Sequence, residues 1–112
     1  MYKYLGKIEK VKFGLGGYQE VMLGISFSFR YGGGLGSSDF KGAWDPENIE
    51  CKENSKWTEA DRSKQLDDTM RYISKLLSDA KVDDVMQLKG KPIEVTVEGN
   101  CVESWRILTE VI

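Results

Sequence analysis

Histidine is absent from this chain, which removes Ser-His-Asp and Cys-His catalysis, histidine general bases and most zinc sites at one stroke. Cysteine is nearly absent. Cys51 and Cys101 are the only two, far apart in sequence and in different kinds of segment. Two separated thiols do not make a four-ligand zinc site, and in a reducing compartment both are expected as free thiols, although a disulfide between them stays open. The acidic pairs Asp67-Asp68 and Asp83-Asp84 lack the spacing of a calcium loop, so neither a metal nor any other cofactor is expected. No apolar run approaches the ~20 residues that cross a bilayer. The opening "MYKYLGKIEK" carries no apolar signal core, so the expected address is the cytoplasm and no membrane is implied. Only two prolines are present, leaving long uninterrupted elements permissible.

What is there describes one globular domain. At 112 residues, 40% hydrophobic and 30% charged, such a chain buries about 65% of its unfolded surface. A net charge of −2 argues against a protein whose main task is coating nucleic acid. The charge is uneven, however. Lys3, Lys7, Lys10 and Lys12 crowd the first strand region, whereas Asp45, Glu47, Glu50 and Glu53 crowd the middle. A basic edge or a solvated surface accounts for the lysines.

Periodicity fixes most elements. From Tyr18 to Tyr31, Val21, Leu23, Ile25, Phe27, Phe29 and Tyr31 alternate with small or polar residues, the pattern of a strand with one buried face. "YLGKIEKVKF" reads as a preceding strand whose apolar phase changes, implying a bulge near Glu9-Lys10, and Gly14 to Gly17 supply a hairpin turn. "DFKGAW" reads as a short third strand ended by Pro46. Thr58 offers a helix N-cap, followed by the stripe Leu66, Met70, Ile73, Leu77 and Ala80 at steps of four and three. "VDDVMQLKG" predicts a short helical turn with Val82, Val85 and Leu88 inward. "PIEVTVE" then predicts a strand, Gly99-Asn100 a tight turn, and Cys101 to Val111 a last strand. There, pairing Val97 with Val102 requires one bulged residue near Glu103-Ser104 to bring Trp105 and Ile107 inward. The order is β-β-β-α-β-β: an α+β domain spanning 1–112, with a mostly antiparallel five-stranded sheet and one long helix on a face.

The candidate site is the stretch "FRYGGGLGSSDF" from Phe29 to Phe40. It lacks the Lys-Ser/Thr of a Walker loop, and it joins strand to strand, so the dinucleotide fingerprint fails too. A hairpin loop is the first reading. The functional one is a contact surface made by Arg30, Gly32, Gly33, Gly34, Leu35, Gly36, Ser37 and Ser38, in which glycine N–H groups form an anion nest helped by Arg30 and Ser37, or the loop moulds itself to a protein. A second candidate is the set of aromatics Tyr2, Tyr4, Tyr18, Trp44 and Trp57, since basic strands with tyrosines can stack single-stranded bases. Cys51 and Cys101 lack an activating base, and catalysis is the least favoured class.

The segments "GLGGYQ" (14–19), "LLSDAKVDDV" (76–85), "LKGKPIEVTVEGN" (88–100) and "WRILTEVI" (105–112) together resemble small proteins encoded in early or recombination regions of tailed bacteriophages. The resemblance spans most of the chain and carries no catalytic motif. It implies the cytoplasm of an infected bacterium and action by binding. The expectation is a non-enzymatic inhibitor of an anti-phage defence system, anti-CRISPR-like in scale, that binds a host protein or sequesters a small nucleotide. The alternative is a single-stranded DNA-binding or recombination accessory protein using the basic first hairpin. A homodimer is compatible with either.

Overall fold

The computed structural model describes all 112 residues. Five strands form one antiparallel sheet: β1 (Tyr2–Gly16), β2 (Met22–Tyr31), β3 (Leu35–Trp44), β4 (Pro92–Glu98) and β5 (Cys101–Ile107), in the order β3-β2-β1-β4-β5. A single long helix, α1 (Glu59–Ala80), separates the third strand from the fourth. The β-β-β-α-β-β order and the α+β class are those expected.

Alternation puts Ile25, Phe27, Phe29 and Tyr31 of β2 on the inner face, joined there by Ile8 and Val11 of β1 and by Ile93, Val95 and Val97 of β4. Both expected bulges are present. The β1–β2 register shifts between Ile8 and Lys10, so Glu9 is the extra residue. In β4–β5, Thr96 faces Ser104 and Val97 faces Val102, leaving Glu103 unpaired and Trp105 and Ile107 inward. Each bulge repairs a phase change that would otherwise turn half a strand's apolar residues to solvent.

The sheet is strongly curled. In a flat sheet the outermost strands β3 and β5 would lie about 19 Å apart at ~4.8 Å per strand. Here Trp105 of β5 touches Asp39 of β3 and packs its ring 5.0 Å from Phe27 and 5.6 Å from Phe29. Close backbone approach accompanies the curl at Gly24 and Gly42, which face one another across β2 and β3. A Cβ on either would collide with a carbonyl of the other strand. Helix α1 lies inside the curl, chiefly along β3 and reaching β5.

Several boundaries differ from the sequence reading. β1 runs on through Gly14 to Gly16, because Phe13 and Leu15 keep pairing with Ile25 and Leu23. The turn therefore moves to 17–21, with Tyr18–Glu20 a single 3-10 turn and β2 beginning at Met22. β3 is ten residues rather than a short strand, and it consumes most of the glycine-rich stretch. The last strand ends at Ile107 and gives way to a 3-10 turn over Thr109–Val111.

Helix α1 starts as expected at Thr58, in a capping box. The Thr58 hydroxyl accepts from the Asp61 N–H, and the Asp61 carboxylate accepts from the Thr58 N–H, an arrangement worth about 1 kcal/mol. Its buried face is rotated from the apolar stripe. Arg62, Thr69, Ile73, Leu76 and Ala80 are buried, Leu66 and Leu77 are half-buried, and Met70 is 61% exposed. Two polar residues can occupy the inner face because each finds a hydrogen-bond partner there. Thr69 Oγ1 donates to the Gln65 carbonyl at 2.7 Å. Arg62 Nη2 donates to the Ile49 carbonyl at 2.7 Å, and its guanidinium lies 4.8 Å from the Trp57 ring centre. Arg62 Nε sits 2.9 Å from a Glu59 carboxylate oxygen, near enough for an ion pair but unaligned for a hydrogen bond. The chain then turns through Val85–Leu88, with Leu88 fully buried, into β4.

Candidate functional site

The glycine stretch resolves into two parts. Only Gly32, Gly33 and Gly34 form the β2–β3 turn, with φ of 57° at Gly32 and 127° at Gly34, values that glycine accepts readily. The Gly32 N–H donates to the Leu5 carbonyl at 3.1 Å and the Gly34 N–H to the Tyr31 carbonyl at 3.4 Å. With those two donors occupied, the turn is not an anion nest. Leu35, Gly36, Ser37 and Ser38 are strand residues.

Strand alternation also separates the expected partners. Ser37 pairs with Phe29 and faces inward, together with Leu35 and Asp39. Arg30 pairs with Gly36 and faces outward, where its guanidinium is ion-paired with Glu9. Arg30 and Ser37 therefore cannot hold the same ligand. Of the candidate aromatics, Tyr2 and Tyr18 are exposed. Tyr4 rests on Tyr31 at 5.7 Å, while Trp44 and Trp57 stack on each other at 6.2 Å and 24°. Both cysteines are free thiols. Cys51 is half-buried and donates to the Trp57 carbonyl at 3.2 Å, and Cys101 is exposed.

The structure does bring Ser37 and Ser38 together with residues far along the chain. The curl leaves a cleft of about 340 Å³ between the edges of β3 and β5. Ser37, Ser38 and Asp39 form one wall, Asn100 to Trp105 the other, and Phe29 lies at its floor. That volume is at the lower end of the range for small-ligand pockets. One hydrogen bond spans it: Trp105 Nε1 donates to Asp39 Oδ2 at 2.8 Å. The other Asp39 oxygen accepts from the Phe40 N–H at 2.9 Å. Behind the wall, burial pushes the Tyr72 phenol up to about 12, and the Asp39 charge adds to the effect.

No family model, curated protein or solved structure matches this chain. The site is therefore read from its own chemistry. The cleft offers hydroxyls from Ser37, Ser38 and Ser104, an amide from Asn100, carboxylates from Asp39 and Glu103, and aromatic surface from Phe29 and Trp105. It contains neither lysine nor arginine. Such a lining accepts hydrogen bonds and positive charge, and it disfavours phosphate.

The opposite wall of the cleft lies outside the residues that the sequence marks as a candidate site. Asn100 reads in sequence as a turn residue, Cys101 as the first residue of the last strand and Glu103 as part of a bulge. Their proximity to Ser37 depends on the curl; the sequence pattern turns Trp105 inward but carries no signal that β5 meets β3. No helix is long and apolar enough to cross a membrane.

Proposed function

We propose that this chain is a non-enzymatic binding protein that seats a side chain or short segment of a protein partner in the β3–β5 cleft. The observation that carries the reading is the lining: two carboxylates, three hydroxyls and an amide around an aromatic floor, with no cation. An arginine or lysine stacked on Trp105 and hydrogen-bonded to Asp39 and Glu103 satisfies that surface. A nucleotide would place phosphates against carboxylates, so of the two modes expected from sequence the protein partner is the better fit.

The resemblance of four segments to small phage proteins supplies the biological setting. In that setting the partner is a component of a bacterial anti-phage defence system, and occupying its surface inhibits it in the host cytoplasm. The test is genetic and direct. Producing the chain in bacteria that carry a defence system should restore plating of a phage that the system blocks. A Ser37→Arg, Glu103→Arg variant, folded but carrying cations in the cleft, should restore nothing. Failure across a panel of defence systems removes the inhibitor reading. Full rescue by the variant removes the cleft.

A further inference from the structure

The lysines of β1 are not at an edge. β1 is the central strand, and Lys3, Lys7, Lys10 and Lys12 all project from its outer face, the one that α1 leaves uncovered. The Glu9 bulge is what makes this so. Without the extra residue, Lys10 and Lys12 would point inward with Phe27 and Ile25. The row runs over ten residues from Lys3 to Lys12, about 30 Å along an extended strand.

Its counter-charges lie at one end or are already engaged. Glu94 is shared between Lys3 at 3.9 Å and Arg106 at 3.1 Å, and Glu9 is bound to Arg30. Lys7 and Lys10 take part in no ion pair. Lys12 reaches only the Leu15 carbonyl, a neutral acceptor, at 2.6 Å. Lys89 joins Lys7 and Arg30 around a groove beside the bulge. In a chain of net charge −2, this face is a strip of concentrated positive charge. A parallel row of hydroxyls runs beside it, because Ser28 lies opposite Lys10 and Ser26 opposite Lys12.

We infer that this outer face binds the phosphate backbone of a single-stranded nucleic acid, at a site on the other side of the sheet from the cleft. Three features select that occupant. Between Lys7 and Lys12 the strip has no large apolar side chain, and Leu5, exposed between Lys3 and Lys7, is a lone one rather than the apolar cluster that anchors a protein interface. Lysines and serines suffice for phosphate contacts, which position a backbone without reading its sequence. A convex sheet enters neither groove of a duplex, whereas a flexible single strand can follow it. The binding is accordingly weak, independent of sequence and steeply salt-dependent.

The experiment measures fluorescence anisotropy of a labelled oligo-dT at low salt. Four phosphate contacts give a slope of log affinity against log salt of about −3. Lys7→Glu, Lys10→Glu, Lys12→Glu should lower affinity at least tenfold with an unchanged melting temperature, and the milder triple change to Gln should give an intermediate loss. A control with the same charge change elsewhere, Lys52→Glu, Lys56→Glu, Lys81→Glu, should retain most of the affinity. Absence of oligo-dT binding overturns the inference, as does equal loss in the control. Tighter binding of poly-glutamate than of oligo-dT assigns the strip to an acidic protein and overturns it too.

Discussion

The indole N–H of Trp105 donates to the carboxylate of Asp39 at 2.8 Å, joining residues 66 positions apart on the two outermost strands. The contact closes the curl and sets the width of the cleft. Trp105→Phe keeps most of the ring packing on Phe27 and Phe29 while removing the donor, so it isolates the bond. A hydrogen bond to a charged acceptor contributes about 1.5–3 kcal/mol when sheltered, and less at a site as exposed as Asp39. Trp105→Phe and Asp39→Ala should each cost about 1 kcal/mol in urea unfolding. Their double mutant should cost less than the sum, with a coupling of about 0.5–1.5 kcal/mol. Strict additivity would mean the edges are not tied here.

Helix α1 offers a sharper contrast than the apolar stripe implies. Leu76 is 7% exposed and Met70 is 61% exposed, although Met70 belongs to the sequence stripe and Leu76 does not. Leu76→Asp should abolish cooperative unfolding by burying an unpaired charge. Met70→Asp should shift the midpoint by no more than about 0.5 kcal/mol. Circular dichroism melts of the two variants decide it, and the reverse ranking would mean the helix is rotated.

Helix α1 also shows what a sequence can and cannot convey. The β-β-β-α-β-β succession, both bulges and the helix cap were legible because each is a local matter of phase or side-chain reach. The helix face was not, since Arg62 is buried by Ile49 and Trp57, partners that only the folded chain supplies, and Thr69 is accommodated by a carbonyl one turn back on its own helix. Nor was the cleft, because Ser37 and Glu103 meet through a curl made by tertiary contact. Arg30 and Ser37 looked like neighbours in sequence. Their parity already placed them on opposite faces once β3 was known to begin at Leu35.

Glycines in the turn and in the sheet should respond differently to one added methyl. Gly33 has open space around its would-be Cβ, and its φ is not positive, so Gly33→Ala should be neutral or slightly stabilising. Gly34→Ala, at a φ of 127°, should cost about 1–3 kcal/mol from backbone strain. Gly24→Ala meets the Lys41 carbonyl and the Gly42 backbone, which cannot yield without opening β2 from β3. It should be the most damaging of the three by thermal melting. If Gly33→Ala proved as harmful as Gly24→Ala, the turn would carry a structural role that its geometry does not show.

Alkaline pH should find Tyr72. Burial chiefly, and then the Asp39 charge, raise its phenol from 10.0 to about 12. A raised folded value means the unfolded chain releases this proton first. The stabilisation is complete below pH 10 and is lost as pH rises toward 12. Tyr72→Phe should remove one phenol from the late part of the near-ultraviolet titration and flatten the fall in melting temperature between those limits. An unchanged titration would mean that Tyr72 is not sheltered.

The cleft makes the last prediction. Ser37 and Glu103 face each other from β3 and β5 without belonging to the core, so Ser37→Arg, Glu103→Arg should leave the melting temperature within a few degrees of the parent. Binding to the protein partner should fall at least a hundredfold, because a guanidinium seated between two new cations loses its acceptors and meets like charge. Arg30→Ala, on the opposite face and ion-paired with Glu9, should leave that binding intact. Leu35→Glu is informative in a different way. Leu35 is 52% exposed on the inner face beyond the cleft wall, so its loss reports whether the partner also covers the turn. Measured by titration calorimetry on the same samples, full binding by the folded double variant would move the contact out of the cleft. Loss by Arg30→Ala alone would move it to the outer face.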